Sequence, residues 1–143
     1  LPPDTLPATS EPLPWLRAAH DLETTGHSRA AREAYQTAQT RWPEHSAPIM
    51  ALGNLAYAQQ QPQQAIEHFL KAVKLFPQAP EGWNNLAYAL SANGCPETAG
   101  KARGCASALA PDRFKNKADS LPGPIQNATQ QCPAIPQCPA EAP

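Results

Sequence analysis

The chain has 143 residues, enough for one domain with a modest core. Its formal net charge of -1 and pI near 6.5 leave no basic excess for a phosphate backbone or an anionic membrane surface, so nucleic acid and lipid are poor partners. No apolar run approaches the roughly 20 residues that span a bilayer, and no membrane insertion is expected.

The chain starts at Leu1 with neither a Met nor a basic and apolar leader, which predicts a leader already removed or a longer parent protein. The 18 prolines gather at the two ends. Residues 1–14, "LPPDTLPATSEPLP", cannot propagate helix, because proline lacks an N–H and disfavours α geometry in the residue before it. Residues 1–12 are therefore expected to be an extended linker.

From Trp15 onward the sequence repeats with a period of 34. The first unit, about 12–45, carries Trp15, Leu22, a Gly26–Ser28 breaker, Ala31, Tyr35, Ala38 and Pro43. The second, about 46–79, carries Ile49, Leu52, Gly53, Ala56, a Gln61–Pro62 breaker, Ala65, Phe69, Ala72 and Pro77. The third, about 80–113, carries Trp83, Ala87, Leu90, an Asn93–Pro96 breaker, Ala99, Arg103, Ala106 and Pro111. In the second unit Ile66, Phe69, Leu70, Val73 and Phe76 form an i, i+3, i+4, i+7 stripe. Pro62 and Pro96 suit the first helical position, where a missing N–H costs nothing. Six helices are predicted, near 13–25, 28–42, 47–60, 62–76, 80–93 and 96–110, with no long strand.

These columns (Trp or Ile, Leu-Gly, Ala, an aromatic, Ala, Pro) resemble the tetratricopeptide repeat (TPR) family over about Pro12 to Asp112. The outer copies depart from the pattern at Ala18, Ala19, Ala87 and Arg103, and the Tyr column holds Leu22, Ala56 and Leu90. The resemblance implies an all-α, right-handed α-solenoid of three TPR hairpins over 13–111, with Pro-rich extensions, used to bind a protein or peptide. It places the concave groove on first-helix positions: Leu16, His20, Glu23, Met50, Asn54, Tyr57, Asn84, Tyr88 and Ser91. Asn and Tyr suit such a role, offering hydrogen bonds and flat apolar area at low entropic cost. The alternative for Tyr57 and Tyr88 is packing between helices. None of these positions is basic and only Arg17 lies nearby, which disfavours a grip on a C-terminal carboxylate. The third unit, "WNNLAYALSANGCPETA", also loosely resembles the TPR region of bacterial C39-like cysteine peptidases, implying as an alternative the non-catalytic C-terminal part of such an enzyme.

The four His (20, 27, 45, 68) and four Cys lack metal-ligand spacing, and no peptidase-like signature surrounds any Cys. No metal, cofactor, small-molecule substrate or catalytic residue is expected. His68 reads as a surface or rim residue. Asn127-Ala128-Thr129 fits a glycosylation sequon, a short pattern that chance also supplies.

In the last helix the stripe becomes Gly100, Arg103, Gly104 and Ser107, so the array is expected to end there, with the two glycines clearing a track for another backbone. The occupant expected is the tail, 112–143. Cys95 and Cys105 lie roughly 15 Å apart along a helix, too far to bridge each other. Cys132 and Cys138 span roughly 19 Å if extended. These matched spans, with an even cysteine count, predict a strap fastened at both ends and an oxidising location: periplasm, envelope or secreted. The rival reading is four reduced thiols in a cytosolic protein. A tail that turns back at Pro111 meets Cys105 first, predicting Cys105–Cys132 and Cys95–Cys138; a parallel strap requires the linker to travel the helix length first.

Overall fold

The computed structural model describes residues 6–114 and 120–140. Residues 1–5 of the expected linker and 115–119 and 141–143 of the tail lie outside the described residues.

Six helices follow one another: α1 (Pro12–Thr24), α2 (Ser28–Arg41), α3 (Ala47–Ala58), α4 (Pro62–Leu75), α5 (Pro80–Ala92) and α6 (Pro96–Leu109). Among the described residues there is no strand. Each helix packs on the next, giving three antiparallel hairpins stacked side by side.

The period of 34 is visible in the backbone itself. Gly26, Gln60 and Gly94 hold positive φ values of 88°, 59° and 83° at the three hairpin turns. The residues after them close the turns identically: the N–H groups of His27, Gln61 and Cys95 bond the carbonyls of Leu22, Ala56 and Leu90 at 2.8, 2.9 and 2.9 Å. This six-to-one bond is how a helix end satisfies a carbonyl that has lost its own partner.

The small columns are what let the helices meet. Ala31, Ala65, Ala99, Ala38, Ala72 and Ala106 are all at most 2% exposed. Phe69 packs directly on Gly53, where a Cβ would stand 2.3 Å from its ring. Two core clusters result. One gathers the first hairpin with Leu52 and Leu55; the other joins the second and third hairpins and includes Trp83, Cys105 and Cys138.

The Pro-rich ends are not loose where they are described. Arg41 donates to Thr9 O at 2.5 Å and Trp42 Nε1 to Ser10 O at 3.1 Å, while Arg41 also stacks over Trp15 and Trp42. The incoming segment is thereby fixed across the end of α2.

The tail runs along α6 and is joined to it twice, but in the opposite order to the one expected. Cys95 is bonded to Cys132 and Cys105 to Cys138. The reason lies at the C-terminus of α5. Its last carbonyls have no helical partners, and the tail supplies them: Ile125 N–H bonds Ala92 O at 2.9 Å and Gln130 N–H bonds Asn93 O at 3.0 Å. Ser91, one of the expected groove positions, instead donates its hydroxyl to Pro122 O. The chain after α6 therefore returns to the α5–α6 turn before it is fastened, reaches Cys95 first, and only then runs beside α6 to Cys105.

The glycine track is also corrected. A Cβ on Gly100 or Gly104 would meet nothing within 4 Å. Residues 121–124 border an open cavity with Ala99 and Gly100 without closing on the glycine, and residues 134–138 lie against the side of α6 carrying Thr98, Lys101 and Cys105, together with Trp83 from α5. The glycine that the tail does crowd is Gly94, whose Cβ would stand 2.9 Å from Gln130 Cγ.

Candidate functional site

The second and third hairpins place Asn54 and Tyr57 of α3 beside Asn84 and Tyr88 of α5, because these positions share the face that the core stripes of both helices leave uncovered. The four side chains, with Asn85 and Phe69, line one cavity of about 230 Å³. Tyr57 and Tyr88 meet edge to face, centroids 6.5 Å apart, and both stay part-exposed. They therefore serve both readings, packing on each other and lining the cavity. Burial, and to a lesser degree Tyr88, raises the Tyr57 phenol above its ordinary value.

A second cavity of about 370 Å³ adjoins the first through Asn54, Asn84 and Asn85, and extends to Met50, Phe76, Glu81, Arg113 and Phe114. Arg113 donates to Glu81 at 2.5 Å, and this bond is the main cause holding the Glu81 carboxyl below its usual value. His20 is exposed on α1 and lines neither cavity. Glu23 accepts the Tyr35 hydroxyl at 2.9 Å.

Two features escaped the sequence reading. Asn85 bridges the hairpins, its Nδ2 donating to Asn54 Oδ1 at 2.9 Å. Arginines also reach this face, although no first-helix position is basic: Arg113 follows α6, and Arg103 on α6 donates to Asn84 Oδ1. The signal for Arg103 was its column, which holds Tyr35 and Phe69 in the other hairpins, so its side chain had to point inward between α5 and α6.

Away from this face, His68 is half-buried on α4, and burial lowers its pKa. Asn127 of the sequon is exposed, with its Nδ2 toward Gln60 O at 3.4 Å.

Residues 50–102 match the family model for the tetratricopeptide repeat; with the six helices, this match supports a TPR family. No curated protein sequence matches the chain.

Proposed function

We propose that the chain is a three-repeat interaction module that holds an extended peptide segment against α3 and α5. The family match supports a generic protein-interaction scaffold. The observation that carries the finer reading is the convergence of Asn54, Tyr57, Asn84 and Tyr88 from two hairpins around one cavity. Flat aromatic walls with amide groups between them suit a peptide main chain, which needs a hydrogen bond at every residue and some apolar cover. Catalysis has no part in this reading.

The tail acts as a cap. It covers the outer side of the last hairpin, burying Cys138 and half-burying Ile135 on the core, as a polar terminal element does in repeat proteins. Two disulfides in so small a chain favour an oxidising compartment, extracellular or periplasmic.

Panning a random peptide phage library against the oxidised protein tests the reading. Enriched peptides should bind the wild type and lose at least about tenfold in affinity to Asn54→Ala with Asn84→Ala, a loss of about 1.4 kcal/mol. Enriched peptides indifferent to that double substitution would place binding elsewhere.

A further inference from the structure

In the column where the first two hairpins put Tyr35 and Phe69, the third puts Arg103. An aromatic there closes the hairpin with apolar contacts. Arg103 does so at a cost. It is only 6% exposed, its Nε has no hydrogen-bond partner, and among the described residues no carboxylate pairs with it. A buried unsatisfied donor costs about 1–3 kcal/mol. Its ring contact, 5.3 Å to the Phe114 centroid, offsets part of this. A local departure that lowers stability where the repeat offers an apolar solution points to function.

What Arg103 does is visible in the direction of the hydrogen bonds beyond it. A guanidinium has donors only. Asn84 must therefore turn its Oδ1 toward Arg103, which leaves its Nδ2 facing the groove, where it donates to Asn85 Oδ1 at 3.3 Å. Asn85 in turn donates from Nδ2 to Asn54 Oδ1 at 2.9 Å. All three amide oxygens are engaged within this chain. The hydrogens it does not use are those on Asn54 Nδ2 and the second one on each of Asn84 and Asn85.

We propose that Arg103 is a specificity-determining positioning residue: through Asn84 and Asn85 it sets the groove as a row of N–H donors, so that the segment accepted presents acceptor oxygens. This rests on the peptide-binding reading above and names the chemistry the groove selects. The oxygens are main-chain carbonyls of an uncharged extended segment. A carboxylate fits less well, because Arg103 lies beneath Asn84, Arg113 is already paired, and Glu81 lines the adjoining cavity.

The first test uses no ligand: side-chain amide resonances of the three asparagines are compared in oxidised wild type, Arg103→Met and Arg103→Lys. The Met variant should keep or raise the melting temperature yet shift the Asn84 and Asn85 amides, and Lys, which restores one donor, should return them toward wild type. Unshifted amides in Arg103→Met would overturn the relay. As a second route, Asn85→Leu cuts the chain at a part-exposed position and should shift the amides of both Asn54 and Asn84, each of which loses its bond to Asn85; if both stay unmoved, the relay is again refuted. The second test titrates an acetyl- and amide-capped Gly/Ser hexapeptide, and separately acetate. The peptide should shift the wild-type amides and bind about tenfold more weakly to Arg103→Met, one hydrogen bond's worth. Equal binding to both would sink the role of Arg103 while leaving the peptide reading standing. Shifts with acetate alone would assign the row to a carboxylate and overturn the carbonyl assignment. No shift with either probe, given an intact relay, would remove the donor row as a binding surface.

Discussion

Asn93 and Thr129 clasp each other in both directions: Asn93 Nδ2 donates to Thr129 Oγ1 at 2.9 Å, and Thr129 N–H donates to Asn93 Oδ1 at 2.9 Å. Asn93 is fully buried, and its Nδ2 also lies 3.0 Å from Gln63 Oε1 and 3.2 Å from Gln131 O. One side chain at the end of α5 thus ties α4, α5 and the returning tail together. Asn93→Ala should cost about 3 kcal/mol, since it leaves several buried groups unpaired at once. Urea unfolding under oxidising conditions checks this, and a loss below about 1 kcal/mol would show that the clasp is dispensable.

The strap predicts a definite order of reduction. Cys132 is exposed, whereas Cys105 and Cys138 are both buried. A mild thiol should open Cys95–Cys132 first, and trapping with an alkylating reagent should label Cys132 before Cys138. Each bridge closes a loop, with sequence separations of 37 and 33, and the chain-entropy model gives about 4 kcal/mol for one such closure. Non-reducing peptide mapping that finds Cys105 with Cys132 would contradict the structure, and an unmoved melting temperature on full reduction would show that the strap adds no stability.

Four backbone positions should respond in opposite senses. Gly53→Ala drives a methyl into the Phe69 ring and should cost about 2 kcal/mol or more. Gly100→Ala meets only open space in a helix and should gain about 1 kcal/mol. Gln60 sits at φ 59°, so Gln60→Gly should be neutral to stabilising by up to about 1 kcal/mol. Gly94→Ala, at φ 83° and against Gln130, should destabilise. Thermal melts of the four variants suffice; a stabilising Gly53→Ala would contradict the packing of α3 on α4.

Stability should also fall in two steps on acidification. The pKa of His68 is lowered from 6.5 by burial, so the unfolded chain binds its proton more readily, and stability declines as pH falls below 6.5. Glu81 is held below 4.5 chiefly by Arg113, so its contribution is complete above 4.5 and is lost as pH falls through the lowered value. Melting temperatures measured against pH should lose the upper step in His68→Gln and the lower one in Arg113→Gln. An unchanged profile in both variants would reject the assignment.

The helical hairpins were legible in the sequence because their causes are local and repeat: the Ala columns, the prolines after each unit and the breakers at fixed offsets recur every 34 residues, and any window of that length carries the full instruction. The asparagines and tyrosines of the candidate groove were legible for the same reason, since a helix position fixes the face it lies on. The spans of the cysteine pairs also predicted that the tail would lie along α6. Its direction was decided only by tertiary structure. Chain length alone favours the nearest cysteine, but the carbonyls of Ala92 and Asn93 and the buried Asn93 amide hold residues 125–131 at the far end of α6 first. Arg103 and Asn85 were hidden likewise. A hydrogen-bond chain crossing two hairpins has no period, and its direction is set by which partner can only donate, a fact that exists once Arg103 and Asn84 are brought together by the packing of α6 on α5.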